Sequence, residues 1–123
     1  MDLTNTDITN TGLTKKVALV TGASGDIGGA IARCLAAQGA DVILTYVGAA
    51  ETAAQVAEDI AQAGGTAWPV QLDQRDPEAI EALMDQVAAK YGRLDILVNN
   101  AAWNIGIPFP NLDDLTADIW DRV

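Results

Sequence analysis

The sequence predicts an α/β domain built on a doubly wound parallel sheet, and three observations carry that prediction. Short runs of β-forming apolar residues alternate with stretches of helical periodicity, in the order β-α-β-α-β-α-β with the start of a further helix. The first strand run, Val17 to Val20, is unbroken by polar residues, as a strand covered on both faces is. The connections are short and rich in glycine or capping residues, which suits helical crossovers between parallel strands.

Taken in order, Met1 to Thr14 is rich in Thr, Asn and Asp and has almost no apolar periodicity, so it reads as a flexible leader before a domain over 15–123. The first strand spans roughly Val17 to Thr21. The glycine-rich turn Gly22-Ala23-Ser24-Gly25 leads into a helix from about Asp26 to Gln38. Ile27, Ala30, Ile31, Cys34 and Leu35 fall at helical spacing and form its expected core stripe, with Cys34 a small buried apolar side chain. Gly39 ends that helix.

Val42 to Tyr46 is the second strand. A helix from about Glu51 to Ala63 turns Val56, Ala57 and Ile60 inward and stops at Gly64-Gly65. The third strand lies near Ala67 to Leu72. Pro69 has no backbone donor and predicts that this strand is short or starts late. Asp76-Pro77-Glu78 is a helix start: Asp76 caps, Pro77 takes the first helical position and Glu78 meets the positive end of the dipole. Ile80, Leu83, Met84, Val87 and Ala88 form the buried stripe, and Gly92 terminates the helix. Leu94 to Asn99 is the fourth strand, an irregular loop runs through Pro108 and Pro110, and a last helix begins near Thr116 and is still running at Val123.

Composition narrows the function classes. The 123-residue chain carries 17 acidic against 7 basic residues, a formal net charge of −10. That balance disfavours a nucleic-acid partner or an anionic membrane surface, because no basic patch is available to displace counterions. No apolar run approaches the roughly 20 residues that span a bilayer, and no secretory signal pattern opens the chain. One cysteine and no histidine disfavour a zinc site, and the lone thiol fits a reducing cytoplasm.

The first strand, its glycine turn and the following helix start together form a place to hold a phosphate. A helix N-terminus presents unpaired N–H groups and the positive end of its dipole, and glycines let an anion come close. Read alone, the segment also suits an ordinary strand-to-helix connection. Two further stretches add to it: Asp73 just after the third strand, and Asn99-Asn100-Ala101-Ala102 after the fourth.

With Thr21-Gly22-Ala23-Ser24-Gly25-Asp26-Ile27-Gly28, these stretches resemble the three signatures of the short-chain dehydrogenase/reductase family, over about Lys15 to Val123. The segment Gly92 to Val98 and the second-strand region are most similar to 3-oxoacyl-[acyl-carrier-protein] reductases and related alcohol or sugar dehydrogenases. The resemblance implies a Rossmann-type sheet, a nicotinamide dinucleotide and hydride transfer between NAD(P)(H) and a small carbonyl or alcohol substrate. It implies that Thr21, Gly22, Ser24, Gly25, Asp26, Ile27 and Gly28 surround the pyrophosphate and adenosine ribose. Asp73 and Gln74 would lie against the adenine, and Asn99, Asn100 and Ala101 would flank the ribose and support the sheet. Each has a simpler alternative: Asp73 as a loop cap, the asparagines as turn formers, Gly28 as a helix-packing residue.

The chain departs from the pattern in two places. Asp26 stands where the family has its second motif glycine, and its carboxylate opposes a nearby phosphate. Ala102 replaces a glycine. At the end of the second strand, Tyr46 stands where NAD-using relatives carry an acid, so NADP is favoured over NAD, with Thr45 as a candidate donor to the extra phosphate. S-adenosylmethionine-dependent methyl transfer lacks the acid that it too would need after this strand.

No catalytic residue is assigned. The family's proton-transfer tyrosine precedes a lysine by four residues, whereas Tyr46 and Tyr91 precede Ala50 and Asp95. The expectation is the cofactor half of a longer oxidoreductase, with the catalytic half absent. The alternative is a non-catalytic nucleotide-binding or regulatory module. An uncovered fourth strand predicts a homo-oligomer. Trp68 and Trp120 are expected to pack, and Trp103 to lie on the substrate side of the cleft.

Overall fold

A computed structural model of the chain describes residues 12–103 and 106–123. Four parallel strands form one sheet: β1 (Val17–Val20), β2 (Asp41–Tyr46), β3 (Thr66–Gln71) and β4 (Ile96–Val98), in the spatial order β3-β2-β1-β4. Helices α1 (Asp26–Ala37), α2 (Ala50–Gln62) and α3 (Pro77–Tyr91) connect them, and 3-10 turns over Phe109–Asp114 precede the short α4 (Ala117–Trp120). The chain moves outward from β1 to β3, then crosses back through α3 to place β4 on the far side of β1. That reversal puts a topological switch point between β1 and β4, where α/β sheets bind ligands beyond the strand ends.

The core has two layers. Ala18, Val20, Val42 and Leu44 meet Ala32 and Ala36 of α1 and Val56 and Ile60 of α2 on one face. Val17, Leu19 and Ile43 meet Leu83 and Val87 of α3 on the other. All four residues of β1 are buried, as a central strand requires. Among the described residues no helix is long and apolar enough to cross a membrane.

The expected leader over residues 1–14 lies mostly outside the described residues; Gly12–Lys15 form a turn closed by the Lys16 N–H on Leu13 O at 3.0 Å, and Leu13 packs against the core. Several other expectations are corrected. The buried face of α1 is Gly28, Gly29, Ala32 and Ala36 rather than the Ile27–Leu35 stripe. Ile27 is 71% exposed, Ala30 and Cys34 are exposed, and Ile31 and Leu35 are only half-buried. The cause is proximity: small residues allow α1 to sit against the sheet and α2 closely, and larger side chains rotate to the flank.

Pro69 does not shorten β3. It sits within a six-residue strand, opposite Leu44, because β3 is an edge strand. Strand β4 is three residues long rather than six. Helix α4 ends at Trp120, three residues before Val123, and Trp120 is exposed at 68% rather than packed. The start of α3 follows the sequence closely: Asp76 Oδ1 accepts from the Glu78 and Ala79 N–H groups at 3.1 and 3.2 Å, and Pro77 follows the cap.

Candidate functional site

The glycine turn and the asparagine stretch form one interlocked object. The Thr21 N–H donates to Val98 O at 3.1 Å, extending the β1–β4 ladder by one step. The Thr21 hydroxyl oxygen accepts from the N–H groups of Asn100 and Ala101 at 3.1 and 3.0 Å. Asn100 Nδ2 then donates to the carbonyls of Thr21 and Gly22 at 3.1 and 3.2 Å. The loop after β4 therefore fixes the path of the loop after β1.

Two glycines are demanded by this closeness. Gly22 has φ +64°, and a Cβ there would lie 2.9 Å from Ala101 Cα. A Cβ on Gly28 would lie 2.4 Å from Gly22 O and 2.6 Å from Asn100 Nδ2. Gly28 thus belongs to packing, whatever binds beside it.

The braced turn opens onto a cleft of about 810 Å³. Gly22, Ser24 and Gly25 line one side, with Asn100 and Ala101 beside them. Helix α1 starts here with Gly25 as its N-cap, which has no side chain to occupy the first N–H groups. Those donors and the dipole's positive end are available to an anion. Asp26 is exposed in the first turn of the helix.

The opposite wall comes from the ends of β2 and β3. Val47, Gly48 and Ala49 line it, with Ala49 turned to φ 52° at the N-cap of α2. Asp73, Gln74 and Arg75 continue it. Arg75 Nε donates to Asp73 Oδ1 at 3.0 Å and its terminal nitrogen to Oδ2 at 2.8 Å. The Arg75 side-chain and backbone donors hold the Asp73 carboxyl down to a pKa of about 2. Ala102, Trp103, Arg122 and Val123 also line it, with the Arg122 guanidinium 5.9 Å from the Trp103 indole centroid.

The structure brings Gly22, Ser24, Gly25, Asp73, Gln74, Asn100 and Ala101 to one cleft. It places Thr21 and Gly28 behind it, as supports. Thr45 departs from expectation: it is fully buried, its hydroxyl has no hydrogen-bond partner, and only its carbonyl meets the turn, accepting from Ala23 N–H at 2.9 Å. A side chain at that point of β2 faces the core, because strand side chains alternate between faces. Tyr46 is half-buried at the strand end, and Ile27 and Asn99 are exposed. Sequence reading missed Val47, Gly48, Ala49, Arg75 and Arg122. For Arg75 a signal was present: an arginine two residues after a loop aspartate can fold back onto it.

The family model described as short chain dehydrogenase matches residues 16–123. The versicolorin reductase of Emericella nidulans is 43% identical over 108 residues, which is 88% of this chain and 40% of that protein. The cis-4-hydroxycyclohexanecarboxylate dehydrogenase of Sinomonas cyclohexanicum is 44% identical over 109 residues, 89% of this chain and 42% of that one. A short chain dehydrogenase from Burkholderia cenocepacia, solved in complex with NADP, superposes with a TM-score of 0.77 at 47% identity, covering 89% of this chain and 44% of that one. A metagenomic short-chain oxidoreductase, also in complex with NADP, gives a TM-score of 0.77 at 40% identity, over 89% of this chain and 48% of that one. The chain therefore spans less than half the length of these relatives.

Proposed function

The chain belongs to the short-chain dehydrogenase family, and from that premise we propose that it is the dinucleotide-binding part of an oxidoreductase that passes hydride between NADP(H) and a small carbonyl or alcohol compound. The observation that carries the reading is the braced glycine turn, which keeps an uncapped helix start open to the cleft. The residues present fit a dinucleotide. Gly22, Ser24 and Gly25 with the first N–H groups of α1 would hold the pyrophosphate. Asn100 and Ala101 would lie beside the ribose, and Asp73 and Gln74 against the adenine. When bound, the nicotinamide gives or takes the hydride.

NADP is the proposed form. The stretch Tyr46–Ala49 carries no carboxylate to repel a 2′-phosphate, and Arg75 and Arg122 line the same cleft. Two related structures hold NADP. Asp26 opposes an anion, but its exposure to water screens that effect.

We assign no catalytic residue within the chain; the complete reaction is proposed for a protein of the relatives' full length. The single thiol and acidic charge fit a cytoplasmic setting. Self-association is proposed through β4, an edge strand whose Leu97 is 56% exposed. Sedimentation tests this: Leu97→Lys should lower the sedimenting mass, and a monomeric parent chain overturns it.

Titration with NADPH, NADH and S-adenosylmethionine, followed through indole emission, tests the main reading, since Trp103 lines the cleft. Saturable binding with NADPH tighter than NADH is expected. A folded chain that binds neither nicotinamide dinucleotide, or binds S-adenosylmethionine instead, refutes it.

A further inference from the structure

The wall of the cleft that follows β2 is held from outside. Strand β2 ends its pairing with β3 at Tyr46, opposite Gln71, and the Leu72 N–H donates to Tyr46 O at 2.8 Å. The backbone ladder stops there, yet the next carbonyl is held too: Gln71 Nε2 donates to Val47 O at 3.0 Å. Val47 and Gly48 line the cleft, whereas Gln71 stands outside its lining. The Val47 carbonyl therefore points away from the cleft. A trans peptide unit is planar, and its N–H points opposite to its C=O. The Gly48 N–H is thus turned to the cleft side, and among the described residues it has no acceptor. A Cβ on Gly48 would meet nothing within 4 Å, so the residue is uncrowded.

We propose that Gln71 is a positioning residue for cofactor choice: by holding the Val47 carbonyl, it keeps the Gly48 N–H aimed at the phosphate that distinguishes NADP from NAD. This rests on the reading of the cleft as a dinucleotide site, in which the end of the second strand meets the adenosine ribose. Arg75, on the same wall, is already committed to Asp73 through both carboxylate oxygens, so an oriented backbone donor has a part to play. Without the bond from Gln71, the Val47–Gly48 peptide can turn over, and the missing Cβ of Gly48 makes that turn easy. A carbonyl oxygen then takes the place of the N–H and repels a phosphate. The bond from Gln71 sets the donor before the ligand arrives, which lowers the cost of ordering it on binding.

The test uses Gln71→Met, which keeps the length of this exposed side chain and removes its donor, with circular dichroism as the folding control. Dissociation constants for NADPH and NADH are measured on the parent and the variant, together with the NMR order parameter of the Gly48 amide in the ligand-free chain. The preference for NADPH should fall about tenfold, the size of one hydrogen bond to a charged group, while NADH affinity changes by less than about twofold. The Gly48 order parameter should fall from about 0.85 toward the flexible range below about 0.6. Adding Gly48→Ala, which keeps the N–H and stiffens the turn, should recover about threefold of the preference. Equal weakening of both dinucleotides, or no weakening of either, overturns the proposal. So does a lost preference with an unchanged Gly48 order parameter, which would mean that Gln71 touches the ligand itself. If the folded parent binds neither dinucleotide, the dinucleotide reading itself falls, and this inference with it.

Discussion

Asn100 offers the sharpest test of how the site is held together. Its side-chain amide donates to two backbone carbonyls, Thr21 O at 3.1 Å and Gly22 O at 3.2 Å, in a partly buried setting. Asn100→Ala removes both bonds, and at about 1 kcal/mol each the expected loss is about 2 kcal/mol. Asn100→Asp keeps the size but, when ionised, replaces a donor with an acceptor facing two carbonyl oxygens. The bonds are lost and repulsion is added, so the loss should exceed about 3 kcal/mol. For a domain of this size each kcal/mol moves Tm by about 4 °C. Urea and thermal unfolding followed by circular dichroism read these values directly. The Asp deficit should also narrow as the pH falls and the introduced carboxyl protonates, because a hydroxyl can donate again. Equal stability of the Ala and Asp variants, or no loss in either, would refute the view that this side chain clamps the turn.

Gly28→Ala should cost about 3 kcal/mol in urea unfolding and loosen nucleotide binding, since the new Cβ would sit 2.4 Å from Gly22 O; stability equal to the parent would show that the turn can yield. Thr45→Val should leave stability unchanged or raise it by about 1 kcal/mol, and leave NADPH affinity alone, because the buried hydroxyl has no partner to lose. A drop in either quantity would place that hydroxyl in contact with something. The Asp73–Arg75 pair gives an acid-side signature. The folded pKa, about 2, lies below the ordinary value of 3.8, so the pair's contribution is present above about pH 4 and lost as pH falls toward 2. Arg75→Ala should flatten that limb of the acid-unfolding curve, and an unchanged limb would mean that the pair is too solvated to matter.

How far the sequence carries depends on the range of the interaction. Local signals read well. Asp76 fixes the start of α3 by accepting from N–H groups two and three places on, Pro77 takes the first helical position, and Gly92 ends the helix at φ +70°. The alternation of elements gives the parallel sheet without further help. Interactions between distant segments do not show. Nothing local marks Thr21 as the acceptor for N–H groups 79 and 80 residues away. The two motifs can be seen separately, but their union cannot. Pro69 misleads because a missing donor weakens a central strand and not an edge strand, and strand order is a tertiary fact. Thr45 misleads because it stands next to the strand end, yet the pleat turns its side chain to the core.

The misplaced face of α1 shows why site and packing cannot be separated here. Hydrophobic periodicity picks out Ile27, Ile31, Cys34 and Leu35, since it weighs residues by how much apolar area they can bury. The helix instead buries the row Gly28, Ala32 and Ala36, with Gly29 beside it. A helix seated on isoleucine and leucine would stand farther from the sheet, and its first turn would rise away from the end of β1. Seated on glycine and alanine, it comes low enough for Gly28 to touch both Gly22 O and the amide of Asn100. The apolar area given up on that face sets the height of the helix, and that height brings its N-cap, Gly25, to the wall of the cleft. Small residues in this helix therefore act on binding at a distance, by fixing where its positive end lies.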